Sequence, residues 1–165
     1  MAEAMNERHS GATRRDVFKL AGGLAAAGAA VVIMVRPARS TPIEMQAAIA
    51  KVVGDVKIHP GKVKLELPPL VENGNTVACS VSVESPMTPA DYCRAIHIFN
   101  EHNPQPNVIS VYLGPRAGRA SISTRIRLSD TQTVVAIAQM NDGSFWSDTV
   151  EVIVTLGACL EEVRI

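Results

Sequence analysis

The chain has 165 residues with sixteen Lys/Arg and sixteen Asp/Glu, so its formal charge at neutral pH is zero. The balance is uneven: residues 1–40 carry six basic and three acidic side chains, the remainder ten and thirteen. A mildly acidic domain has no electrostatic reason to bind nucleic acid, because phosphate contacts need a basic face. Three cysteines, Cys79, Cys93 and Cys159, are too few for a disulfide framework, and their odd number leaves at least one free or paired with another molecule.

Residues 13–19 run Thr13-Arg14-Arg15-Asp16-Val17-Phe18-Lys19, and a continuous apolar stretch fills residues 20–35. As a helix that stretch would span about 24 Å, short of a hydrocarbon core of about 30 Å. A basic head, a short Gly- and Ala-rich stretch and the small-residue exit at Ala38 and Ser40 describe an export signal better than a membrane anchor. Arg14 and Arg15, with Phe18 and Lys19, have the form of a twin-arginine signal. Residues 1–40 are therefore expected to be removed near Thr41, leaving a periplasmic protein with no membrane attachment.

Residues 41–60 read as a short helix and linker. Thr41 suits an N-cap, Pro42 the first turn and Glu44 the capping box. Ile43, Ala47, Ala50 and Gly54 mark one face, and the helix should reach about Val53. Cleavage at Thr41 would place this cap at a charged, frayed terminus.

From residue 61 the apolar period changes to two. Strands are expected over residues 62–67, 76–84, 94–99, 108–113, 119–128, 133–140 and 145–156. Turns are expected at residues 72–75, at the proline-rich loop 103–107, at 114–118 and at Asn141-Asp142-Gly143. Closely spaced strands with no helix between them predict an all-β chain, an immunoglobulin-like antiparallel β-sandwich over residues 61–156. Residues 157–165 form a tail beyond it.

His59, His97 and His102 lack metal-ligand spacing. His97, between Ile96 and Ile98, should face away from them as a partly exposed structural residue. No Ser-His-Asp set, carboxylate pair or phosphate-cradling glycine loop appears, so neither catalysis nor a cofactor or metal is expected. Arg119, Arg125 and Arg127 share a strand face with Ser121 and Ser123; this is the pattern of a solvated outer face, which could also attract an anion or an acidic partner. Cys79 points inward and Cys93 precedes a strand. Both read as small core residues, and a bridge between them in an oxidising compartment stays open. Cys159 lies past the last strand in Gly157-Ala158-Cys159-Leu160, where a thiol on an exposed tail can reach into another protein.

Val71-Glu72-Asn73-Gly74-Asn75-Thr76-Val77, Ser85-Pro86-Met87-Thr88, Ile96-His97-Ile98-Phe99, Asn103-Pro104-Gln105-Pro106, Ser123-Thr124-Arg125-Ile126-Arg127-Leu128 and Met140-Asn141-Asp142-Gly143-Ser144 occur in this order. Together they resemble the SoxY family, the carrier subunits of the periplasmic thiosulfate-oxidising (Sox) complex, from about Val63 to Cys159. The resemblance implies an immunoglobulin-like sandwich in a heterodimer with a SoxZ-like subunit, and a non-enzymatic protein. Its Cys159 would be the covalent attachment point for sulfur intermediates on an arm that includes Gly157 and Ala158. It further implies transfer of the adduct between a haem-containing coupling enzyme, a sulfate-releasing hydrolase and a sulfur dehydrogenase, with thiosulfate as substrate.

The family's arm is Gly-Gly-Cys-Gly-Gly at the chain end. Here Gly157 and Cys159 match, Ala158 replaces a glycine, Leu160 and Glu161 replace the last two, and Glu162 to Ile165 extend the chain. Leu160 is bulkier and stiffer than glycine, and Glu161 and Glu162 repel an anionic adduct. Two readings follow: a sulfur carrier loaded on Cys159, or a non-carrier binding subunit whose arm is degenerate.

Overall fold

A computed structural model describes residues 40–158. Helix α1 (Pro42–Val53) begins at the expected capping box. The Glu44 N–H donates to the Thr41 hydroxyl at 3.3 Å, and the Thr41 N–H donates to the Glu44 carboxylate at 2.7 Å. Gly54, at φ 65°, ends it. The buried face differs from the expected one. Met45, Ile49 and Val53 are buried with Ala48 and Val52 beside them, whereas Ile43 is 80% exposed. The i, i+4, i+8 row of larger side chains buries more apolar area than the Ala-rich row, and so takes the sheet face.

Nine strands follow among the described residues: β1 (Ile58–Pro60), β2 (Val63–Glu66), β3 (Leu70–Asn73), β4 (Val77–Val83), β5 (Cys93–Asn100), β6 (Asn107–Tyr112), β7 (Ser121–Ile126), β8 (Gln132–Met140) and β9 (Phe145–Leu156). The larger sheet has the order β1-β9-β8-β5-β6, with β3 also on β9; the smaller has the order β2-β4-β7. All seven expected strands are present. Strands β1 and β3 are additional, and pair in parallel with opposite ends of β9. At three and four residues they are too short to show a period. The turn expected at residues 72–75 is correspondingly shorter. Glu72 and Asn73 belong to β3, and the chain turns at Gly74 and Asn75, where Asn73 Oδ1 accepts the Asn75 N–H at 2.8 Å.

Strand β2 crosses to the smaller sheet between β1 and β3. Its Leu65 N–H donates to the Asp148 carboxylate of β9 at 2.8 Å, which ties the two sheets together along that side. On the other side β6 and β7 are edge strands. Val77, Cys79 and Val81 of β4 face Ile96 and Ile98 of β5, Val134, Ala136 and Ala138 of β8, and Val152 of β9. On the other face of the larger sheet, Phe99, Ile137 and Phe145 pack under α1. The order of layers is helix, larger sheet, smaller sheet. At the Asn141-Asp142-Gly143 hairpin Gly143 takes φ 87° and its N–H donates to the Met140 carbonyl at 3.1 Å. No helix of the described residues is long and apolar enough to cross a membrane.

Candidate functional site

The end of β9 leads straight to the proposed attachment residue. Leu156 closes the strand, Gly157 and Ala158 are buried, and Cys159 is the next residue, outside the described residues. Arg14 and Arg15 also lie outside them. Gly157 is held against the segment after β7: a Cβ there would lie 2.0 Å from the Ser129 carbonyl oxygen. Gly74 makes a matching approach, with a Cβ position 2.1 Å from the Leu128 carbonyl oxygen. Only residues without a Cβ fit either place.

Backbone hydrogen bonds complete this mount. The Gly74 N–H donates to Leu156 O at 2.8 Å, the Leu128 N–H to Gly74 O at 2.8 Å, and the Ala158 N–H to Leu128 O at 3.0 Å. The turn after β3, the end of β7 and the end of β9 are thus joined around one point. The resemblance makes Gly157 part of the arm; in the fold its missing side chain admits the Ser129 carbonyl of the segment after β7.

The 127–129 segment is fixed from behind by a side chain that sequence reasoning placed only in a stiff loop. Asn103 Nδ2 donates to Arg127 O at 2.7 Å, while Asn103 Oδ1 accepts the Ser129 N–H at 3.0 Å and Gln132 Nε2 at 3.1 Å. The Ser129 hydroxyl donates to His102 O at 2.9 Å, and the His102 N–H donates to Gln132 Oε1 at 3.0 Å. Thr131 Oγ1 accepts the Val154 N–H at 3.0 Å and so pins β9 three residues before Gly157. Asn103, Gln132 and Gly74 were not singled out from the sequence. Asn103 and Gly74 have only the Asn103-Pro104-Gln105-Pro106 and Asn73-Gly74 turn chemistry as a signal, and Gln132 has none, because the partners they meet are far away along the chain.

Of the three cysteines, Cys79 and Cys93 are free thiols buried between the sheets, with no bridge between them. Burial pushes both thiols up to about 11; at Cys93 a hydrogen bond from Sγ to the Ala95 carbonyl at 3.4 Å accompanies it. A thiol so placed is neither reachable nor ionised at neutral pH, so neither can act as a nucleophile.

The histidines are dispersed. His59 lies beside the Trp146 ring, centroids 5.2 Å apart, and His102 Nδ1 is 3.0 Å from Thr131 O. His97 does face away from Ile96 and Ile98, but it is 2% exposed rather than partly exposed. The ring is enclosed on the outer face of the larger sheet, with Nδ1 2.8 Å from Ser110 Oγ and the rings of Phe99 and Tyr112 near it. Periodicity placed its face correctly but could not show that this face is covered. Burial lowers its pKa. No group of three His, Cys, Asp or Glu side chains among the described residues could hold a metal ion. Arg119, Arg125 and Arg127 are exposed, as are Ser121 and Ser123, on the outer side of the smaller sheet.

The fold and this mount define a class: a small β-sandwich whose last, firmly seated strand is followed in sequence by Gly157, Ala158 and a cysteine. A family model, "Sulfur oxidation protein SoxY", matches residues 49–159, ending on that cysteine. The chain belongs to the SoxY family, and is thereby a protein of the Sox sulfur-oxidation system. Among solved structures, the sulfur carrier protein SoxY from Chlorobium limicola f thiosulfatophilum is similar with a TM-score of 0.59 and 28% identity, over 69% of this chain and 98% of that one. A superoxide reductase (neelaredoxin) from Ignicoccus hospitalis is similar with a TM-score of 0.51 and 21% identity, over 70% of this chain and 94% of that one, a likeness of fold. A comparison with curated proteins finds no match at the same stringency.

Proposed function

We propose that this chain is a covalent sulfur carrier and that Cys159 is its attachment point. The observation that carries this reading is the family match running through residue 159, while the other two cysteines are sealed in the core. In the loading step the Cys159 thiol and thiosulfate join through a new S–S bond. The thiol proton is released, and two electrons pass to the haem-containing coupling enzyme. A hydrolase then adds water across the terminal S–S bond, releasing sulfate and leaving a persulfide for a sulfur dehydrogenase. The carrier itself supplies a nucleophile and a rigid mount; the chemistry belongs to the enzymes it visits. Export by Arg14 and Arg15, a periplasmic location and pairing with a SoxZ-like subunit belong to the same reading.

The mount sets a condition on this function. Ala158 is bonded to Leu128, and successive Cα atoms are about 3.8 Å apart, so little chain separates the seated backbone from the sulfur. An enzyme that receives Cys159 must therefore bring its entrance close to the sandwich.

A second reading, a non-carrier subunit that docks a SoxZ-like partner, is favoured by one feature: Leu160 and Glu161 stand where the family arm has glycines. Cys159→Ser separates the two. The carrier reading expects this change to abolish thiosulfate-dependent growth; growth that persists unchanged selects the docking module.

A further inference from the structure

The charge of this domain is segregated. Residues 102–129 contain four arginines, Arg116, Arg119, Arg125 and Arg127, and no Asp or Glu. The rest of residues 41–165 contains six Lys/Arg and thirteen Asp/Glu. All four arginines are exposed, and none has an ion-pair partner among the described residues. They flank or lie on β7, the edge strand of the smaller sheet, which pairs with β4 on one side and with no strand on the other among the described residues. Positive charge on an edge discourages pairing with a like copy, and it equally favours an acidic partner.

This edge runs directly to the arm. Arg127 precedes Leu128, whose carbonyl holds the Ala158 N–H, and Ser129, whose carbonyl seats Gly157. Arg127 also lines a shallow groove with Asn103, Pro104, Gln105, Asn107 and Val108, none of them acidic. Arg125 borders a second depression with Ala78, Ser80, Ser123 and Thr124, likewise without a carboxylate. An arm with so little free chain needs the recipient enzyme seated beside its root, and the β7 edge is the basic surface that adjoins that root, next to the carboxylates of Glu72 and Asp130.

We propose that the β7 edge, through Arg119, Arg125 and Arg127, is the docking surface for the enzyme that loads Cys159, and that it meets an acidic rim around that enzyme's active-site entrance. The proposal rests on the carrier reading for its choice of partner. Charge complementarity of this kind acts mainly on encounter rate and orientation, and weakens with salt.

The test is binding of the mature protein, carrying Cys159→Ser and paired with its SoxZ-like subunit, to the purified haem-containing coupling enzyme at about 20 mM and about 200 mM NaCl. Arg125→Glu with Arg127→Glu should weaken binding at low salt by about tenfold or more, and raising the salt should narrow the gap. Lys51→Glu with Lys57→Glu changes net charge equally but on α1 and the segment before β1, outside the smaller sheet, and should weaken binding far less. Equal binding by the arginine variant, or equal weakening by the lysine control, overturns the proposal. The readout is independent of sulfur transfer. Selective loss of binding with no adduct on the native Cys159 would uphold the surface and defeat the carrier reading.

Discussion

Gly157 and Ser129 stand so close that a Cβ on the glycine would lie 2.0 Å from the serine's carbonyl oxygen. The contact belongs to the place where three chain segments meet, so it cannot be relieved by turning a flexible side chain. Gly157→Ala must push apart the ends of β7 and β9.

The first prediction is accordingly that Gly157→Ala and Gly74→Ala each destabilise the domain by about 1–3 kcal/mol, the usual cost of overpacking. Gly114→Ala serves as control, since nothing lies within 4 Å of its Cβ position and its φ of −123° suits any residue. Urea unfolding monitored through Trp146 measures this. Unchanged midpoints for Gly157→Ala and Gly74→Ala would show that the mount yields more freely than its geometry implies.

Asn103 carries three hydrogen bonds that hold residues 127–132 together. Asn103→Ala should cost about 1–3 kcal/mol, since backbone groups of Arg127 and Ser129 lose partners. Hydrogen exchange should rise at Ser129 and Ala158 before it rises in the β5–β8 core. A uniform rise across the sandwich would instead mean that Asn103 supports the whole fold and not this corner.

The two core thiols make a prediction about reagents. In the folded protein at neutral pH, iodoacetamide should leave Cys79 and Cys93 untouched, because both are buried and held at about 11. In denaturant both should react. Peptide mapping after a short pulse distinguishes the outcomes, and native labelling of Cys79 would refute the closed core. Their raised values also favour the folded state below about pH 9 and withdraw that contribution as pH climbs from about 9 toward 11.

His97 supplies the acid side. Burial lowers its pKa, so the folded protein prefers the neutral ring. The unfolded chain takes up a proton near about pH 6.5, and the folded chain only below that. Between those points the unfolded state binds more protons, so stability falls as pH drops from about 6.5 and levels off once the folded ring protonates. His97→Gln should flatten that slope. Identical pH profiles for the two proteins, by urea midpoint between about pH 7.5 and about pH 5, would contradict it.

Most of the fold was readable because it is local. Alternation located seven strands, and Thr41 with Glu44 located the helix start, since each depends on neighbours a few residues away. What escaped depends on distant partners. The strand Leu70–Asn73 exists because β9 offers it an edge 83 residues later, in the Leu70–Ile153 pair. Ile43 lost the helix face to Met45 and Ile49 because Phe99, Ile137 and Phe145 lie under the latter. His97 reads as half-exposed until Ser110 and Tyr112 are brought beside it. At the candidate site, Cys159 stands out by its position past the last strand and Gly157 by the resemblance of the arm, whereas the mount made by Gly74, Asn103, Leu128 and Ser129 exists only once the sheets have closed.

The most direct test of the account is to incubate the mature heterodimer with thiosulfate and the haem-containing coupling enzyme and then weigh the chain and its peptides. The account predicts one thiosulfate-derived adduct, on the peptide containing Cys159, absent from Cys159→Ser and removed by a thiol reductant. An unmodified Cys159 under conditions that load a proven carrier, or an adduct on Cys79 or Cys93, would contradict it.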